Sequence, residues 1–313
     1  MYNQEIKEQY LSTRQTDVRV RHTQIFKQVS DLIEQPHNKE IAEMSLEELR
    51  SGFRLFEFID AGAVRPILYT LQNYNRWAHI TKQPFAFTDA LEVFDERADI
   101  DYTIGIKKYI IPSPESLVSA FTRLYRIDEG YEVLPALIFA WVGVPSSECV
   151  RVKSDAVDFR NRLLTLPDGS MCQNEIPEVF IEPLEVYAKT RTATRVVSGE
   201  YPVYADDLGF FLKKMLPRNS KKQGKPYTQA QISANITDFC YRCDEQLHIV
   251  QTFNYTTIAK SGVLYRLYQF EASGADLYNK ANKDKVLEIA NKKSFKDVMT
   301  VYEAYRKVFY PRS

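Results

Sequence analysis

The sequence is short of the residues that mark specialised chemistry. Histidine occurs 4 times in 313 residues, cysteine 4 times and tryptophan 2 times. Cys149, Cys172, Cys240 and Cys243 are too few and too scattered for a disulfide framework. Cys240 and Cys243 form a lone CxxC pair inside a helical pattern. With no second Cys or His pair nearby they read as two helix thiols, so neither a metal nor another cofactor is expected. A Gly-rich phosphate loop, HExxH and GxSxG are all missing. No apolar run approaches the length of a membrane span, and no membrane partner is expected. The start, MYNQEIKEQYL, is polar and mixed in charge, unlike a signal peptide, so an intracellular location is expected. Net charge is missing too: 41 Lys and Arg balance 41 Asp and Glu. That counts against a non-specific nucleic-acid coat, which would be basic. It allows a specific binder whose positive charge is gathered on one face.

What remains is a soluble globular composition, 44% apolar and 26% charged, long enough for two domains. Residues 1 to about 23 are polar, with Arg14, Arg19 and Arg21 close together, and read as an arm or short helix. Ile25–Glu34 carries apolar residues at helical spacing and is stopped by Gln35-Pro36-His37-Asn38. Ser45 and Glu48 form a capping box opening a helix through Phe58. A third helix is expected from about Ala63 to Ile80, with Pro66 in its first turn. Its apolar stripe is Val64, Ile67, Leu68, Leu71 and Tyr74; its polar face carries Arg65, Tyr69, Gln72, Asn73 and Arg76. Pro84–Ile106 mixes aromatics with acids, has no clear period and reads as a linker. Ser113-Pro114-Glu115 then opens a helix to Leu124 as N-cap, first residue and dipole partner.

Leu134–Phe159 is the most informative stretch. An apolar helix ends at Val142, breaks at Gly143, resumes as a short polar helix at Ser146-Ser147-Glu148, and passes through Asp155 into a strand. Strands are expected at Ala156–Phe159 and Leu163–Leu166, with a third at Ile176–Ile181 and a turn at Pro167–Ser170. Thr228 and Gln231 form a second capping box. Lys213–Lys225 holds six basic residues and no acid, a density that suits phosphate contact.

Val142-Gly143-Val144, Glu148 and Asp155 resemble the first conserved box of the tyrosine recombinases, the phage integrase family. Tyr74-Asn75-Arg76-Trp77-Ala78 resembles the end of the core-binding domain that precedes that box in the family. Ser261–Ala272 lies where the second box belongs, and Val286–Tyr305 resembles the ending that carries the nucleophile, with Tyr302 in its place. The resemblance runs from about residue 24 to 310 and rests on the order of weak motifs.

It also locates what has gone. Pro145 stands where the family has its first phosphate-holding arginine, and proline offers neither charge nor N–H. No lysine lies between Ser154 and Lys189, where the family places a general acid. With Leu264 aligned, Gly262, Tyr265 and Arg266 fill the His, Arg and His slots; shifted by one, Val263 takes a histidine slot and Arg266 the arginine. None of His22, His37, His79 and His248 falls in this box, and Lys292 or Lys293 replaces a later histidine. Each lost donor costs about two or three powers of ten in rate, so Tyr302 alone does not sustain strand exchange.

The resemblance therefore implies a mostly α fold with a small antiparallel β-hairpin or sheet, in two lobes. Residues 1–100 would form a helical core-binding domain with linker, and 101–313 a degenerate catalytic-like domain. The implied function is sequence-specific binding of double-stranded operator DNA as a phage or prophage repressor in the bacterial cytoplasm, maintaining lysogeny without catalysis. The alternatives are an active or accessory recombinase, or a protein-interaction module. The expected DNA contacts are Arg65, Tyr69, Gln72, Asn73 and Arg76 on the third helix, Arg151, Lys153, Lys260 and Arg266 near the boxes, and Lys213, Lys214, Arg218, Lys221 and Lys222 in the basic run. A protein or peptide-controlled antirepressor is a further expected partner, and the expected state is a monomer or weak oligomer.

Overall fold

The computed structural model describes residues 1–124, 130–195, 201–247 and 253–311. The chain divides into two compact units, Met1–Lys107 with Ser294–Ser313, and Lys108–Lys293. The sequence placed a single division at 100/101 and assigned the final residues to the second lobe.

In the first unit, the stretch read as an arm or short helix is helical, α1 (Gln4–Ser12) and the start of α2 (Thr16–Val29), because Tyr10, Leu11, Ile25 and Phe26 all have core to enter. Tyr10, Phe26 and Tyr74 meet edge to face at 5.1–5.7 Å, with Trp77 against Tyr10 at 5.5 Å. A π-helical turn, Ser30–Glu34, extends α2 and leads into α3 (Gln35–His37). Ile33 and Glu34 both end up fully buried there. The capping box of α4 (Leu46–Arg54) is present as read, Ser45 with Glu48, but the helix stops short of Phe58. The long helix α5 (Ala61–Ile80) starts earlier than expected because Asp60 caps it, accepting from the Ala63 N–H at 3.1 Å. Pro66 consequently lies in the second turn. The expected linker contributes to the core: Ala90 and Leu91 of α6 (Ala90–Val93), Phe94, Ile100 and Tyr102 are buried, and α7 (Thr103–Tyr109) adds Ile106.

In the second unit, α8 (Pro114–Leu124) begins at the predicted proline, with the Ser113 Oγ accepting from the Ser116 N–H. The centre is α9 (Gly130–Val142), whose residues from Val133 to Val142 include a run of fully buried apolar side chains. A helix apolar on every side must be enclosed, and α11, α12 and α13 pack round it. After α10 (Ser146–Cys149) come β1 (Val157–Asp158) and β2 (Leu163–Leu164), an antiparallel pair with Val157 opposite Leu164. Ile176–Ile181 is not a strand: Glu178–Phe180 is a 3-10 turn running into α11 (Ile181–Lys189). The sequence missed a three-stranded antiparallel sheet, β3 (Thr192–Arg195), β4 (Tyr201–Asp206) and β5 (Lys214–Leu216) in that order. The unit closes with α12 (Gln229–Leu247), α13 (Tyr255–Ala272) and α14 (Lys283–Ala290). The last helix, α15 (Phe295–Phe309), belongs to the first unit. The fold is mostly helical with small antiparallel sheets, and no described helix is long and apolar enough to cross a membrane.

Candidate nucleic-acid interface

The turn at the end of α9 is built from both boxes. Gly143 has φ +98, a conformation that disfavours any side chain. The last carbonyls of α9 and the turn each receive a side-chain donor. Arg266 Nη1 donates to Trp141 O at 2.8 Å, Asn174 Nδ2 to Val142 O at 2.7 Å, and the Tyr255 hydroxyl to Val144 O at 2.7 Å. A cation suits this negative helix end. Burial pushes the Arg266 guanidinium down to about 10, and its Nε is buried without a partner. Tyr265 lies against Trp141 at 6.0 Å. At Gly262, a Cβ would stand 2.0 Å from Trp141 O, so the backbone of α13 touches α9. Pro145 is exposed and its carbonyl accepts the first N–H groups of α10, from Glu148 and Cys149.

The other degenerate positions differ in burial. Tyr302 is 2% exposed in α15, its ring stacked 6.3 Å from Tyr305. The turn at 167–170 is held by Asp168, which accepts from the backbone and hydroxyl of Ser170. Lys293 is exposed just after α14. His22 stacks on Tyr10, His37 Nδ1 bonds the Ile33 carbonyl and His79 meets Phe87 edge-on; all three lie in the first unit, and His248 lies outside the described residues. Cys240 is buried with its Sγ donating to Phe253 O at 3.0 Å, and the side chain of Cys243 lies outside the described residues.

On α5, Arg65, Tyr69, Gln72 and Arg76 recur at the spacing of one helix face. Segment 91–97 runs along this face. Arg65 Nε donates to Glu96 at 2.8 Å, Gln72 Nε2 to Leu91 O at 2.9 Å, and Arg76 lies 3.7 Å from Glu92. Arg65 also makes a bidentate pair with Asp297 of α15 at 2.9 and 2.7 Å, and Arg97 Nε reaches the same Asp297 Oδ1 at 2.8 Å. The hydrogen bonds from Arg65 and Arg97 hold the Asp297 carboxyl well below the usual carboxylate range. Tyr69 is 63% exposed, Arg76 is exposed and Asn73 half-buried. Glu96, Arg97 and Asp297 were not among the expected site residues. The only signal for Glu96 and Arg97 was a cluster of charges in a stretch without periodicity, and nothing singled out Asp297 in the last helix.

The basic run is divided by β5. Lys213 is buried, donating Nζ to Ala188 O at 3.0 Å, and burial together with Arg191 lowers its pKa. Lys214 is buried with Nζ 5.4 Å from the Tyr227 ring centroid. Beyond the strand, Arg218 lies 4.7 Å over Tyr204, while Lys221, Lys222 and Lys225 are exposed. The loop is tied by the Gly224 N–H donating to Asp206. Arg151 and Lys153 are exposed, Lys153 beside the Phe210 ring at 5.0 Å, and Lys260 is half-buried in α13.

Residues 1–80 match the family model described as the N-terminal core-binding domain of MrpR. The similarity to that core-binding domain covers α1 to α5 of the first unit. A curated relative is the SPbeta prophage-derived uncharacterized protein YopR of Bacillus subtilis strain 168. It is 24% identical over 277 residues, which span 86% of this chain and 82% of that protein. Solved structures with similarity include a lambda integrase (75–356) dimer bound to a COC′ core site, with TM-score 0.43, 11% identity and coverage of 99% of this chain and 97% of that one. The XerA recombinase gives TM-score 0.38 and 10% identity over 98% of this chain and 97% of its own. The Tn1549 transposon integrase in complex with a circular intermediate DNA gives 0.41 and 10% over 96% and 93%.

Proposed function

We propose that this chain is a sequence-specific binder of double-stranded DNA, acting as a phage or prophage repressor, in which the integrase-like scaffold no longer cleaves strands. The observation that carries the reading is the closed contact between Gly262 and Trp141. With Leu264 set on the family leucine, the histidine slot is Gly262, which has no room for any side chain beyond hydrogen; shifted by one, the slot is Val263, which is no histidine either. Pro145 supplies no donor at the turn where the family has arginine. The one basic group of the second box, Arg266, is used on the Trp141 carbonyl. Phosphoryl transfer depends on donors aimed at the developing charge, and each loss costs about two or three powers of ten.

Binding without cleavage needs only phosphate contacts and base readout. Arg76, Tyr69, Lys221 and Lys222 remain exposed for such work. The partner is operator DNA; the protein is monomeric or weakly oligomeric, and a protein or peptide-controlled antirepressor lifts repression. Retention of genomic fragments on the purified protein, followed by sequencing, tests this reading: recurrent sites with a steep salt dependence are expected. A nicked recombination site tests the rival: covalent trapping through Tyr302 would establish a recombinase. A protein that retains no DNA at low salt would leave only an interaction module.

A further inference from the structure

Two arginines from different segments converge on one carboxylate oxygen. Arg65 Nη2 lies 2.7 Å and Arg97 Nε 2.8 Å from Asp297 Oδ1, and Arg65 Nη1 takes the other oxygen at 2.9 Å. Guanidiniums this close repel each other, so the pair requires an anion between them. The fork geometry that fits a carboxylate also fits a phosphodiester. The cluster is open to solvent, with side-chain exposures of 42% for Arg65, 36% for Arg97 and 23% for Asp297. The partial exposure of all three side chains leaves the two guanidiniums within reach of a second anion. Arg65 also continues the face that carries the exposed Tyr69 and Arg76.

We propose that the Arg65–Arg97 pair is a phosphodiester-binding site which Asp297 keeps occupied in the free protein. A DNA backbone phosphate replaces the Asp297 carboxylate on binding, and α15 is thereby released from α5. The proposal rests on the DNA-binding reading above. It makes Asp297 a competitor of DNA within the same unit, and Glu96 a second, weaker one through its bond to Arg65.

The test is binding of a mixed-sequence duplex by the full-length protein across a series of salt concentrations. Asp297→Asn is expected to bind about tenfold more tightly at low salt. Its log–log salt slope should steepen by about one to two, the signature of added phosphate contacts. Arg65→Ala/Arg97→Ala in the Asp297→Asn background should erase that gain. If the gain survives loss of both arginines, it reflects net charge alone and the proposal is overturned. If the wild type binds and Asp297→Asn binds equally or more weakly, the proposal fails while the DNA-binding reading stands. If neither protein binds the duplex, both fail; binding by the variant alone supports both. Should Asp297→Asn not fold, Glu96→Gln is the substitute, with a smaller gain that also disappears on Arg65→Ala.

Discussion

Gly262 and Trp141 are in backbone contact: a Cβ on the glycine would stand 2.0 Å from the tryptophan carbonyl oxygen. The obstacle is main chain in the centre of the second unit, which cannot swing aside. Gly262→Ala is therefore expected to destabilise the protein by about 3 kcal/mol or more, the upper range for overpacking. Gly262→His, with a far larger side chain at the same contact, should fail to fold. Denaturant melts check both, and a stable Gly262→His protein would contradict the closed contact.

A second prediction concerns Lys7, Glu34 and Glu40, which meet with no exposure at all. Lys7 Nζ lies 2.7 Å from Glu34 and 3.1 Å from Glu40. One cation faces two carboxyls, and burial, with Glu40 adding to it and Lys7 opposing, pushes Glu34 up to about 8. Between the ordinary carboxylate pKa and about 8 the folded state holds a proton that the unfolded state has lost. Stability then falls as pH rises through that window. His22, whose pKa burial lowers, contributes with the opposite sign below its ordinary value. The informative measurement is the difference between wild type and Glu34→Gln from about pH 5 to 8. That difference should move in favour of the variant as pH rises; a flat difference would place no titration at Glu34.

Exposed cations should matter to DNA and little to folding. Arg76→Ala and Lys221→Ala/Lys222→Ala are expected to weaken duplex binding and to lower the salt slope by about one for each phosphate contact removed. Thermal stability should change by no more than about 0.5 kcal/mol, as for surface positions generally. Unchanged affinity in both variants would remove these residues from the interface.

Tyr302→Phe is expected to leave DNA binding and repression intact. The ring is buried and packed against Tyr305, so the phenylalanine keeps the apolar contact. Lost repression with an intact fold would give the hydroxyl a function, and a covalent adduct on a nicked duplex would make that function cleavage.

Much of this architecture was legible because it is written in local rules. The Ser45–Glu48 and Thr228–Gln231 boxes form as read, each with both reciprocal bonds. Pro114 opens its helix, and the hairpin at 157–164 pairs in the expected place. The failures are places where tertiary context decides. Leu91, Phe94, Ile100 and Tyr102 have no period because the segment wraps around α4 and α5 instead of lying on one face. The sheet β3–β5 hides behind Pro202 in β4 and Lys214 in β5, residues that argue against strands. The basic run looked uniform, yet Lys213 and Lys214 are buried while Lys221 and Lys222 are not. Lys213 reaches the Ala188 carbonyl of α11 and Lys214 the Tyr227 ring, partners that lie far from them in sequence. Arg65 was read as a free reader of bases because nothing near it in sequence announces Asp297.

The first unit is discontinuous: Met1–Lys107 is joined by Ser294–Ser313 only after the whole of Lys108–Lys293 has been made. On a ribosome that interval is on the order of tens of seconds. Throughout it a nascent chain displays Arg65 and Arg97 without their aspartate, and Tyr10, Phe26 and Tyr74 gather before the helix that completes their unit has been translated. Any premature stop ahead of Phe295 leaves that same half-built unit as the final product.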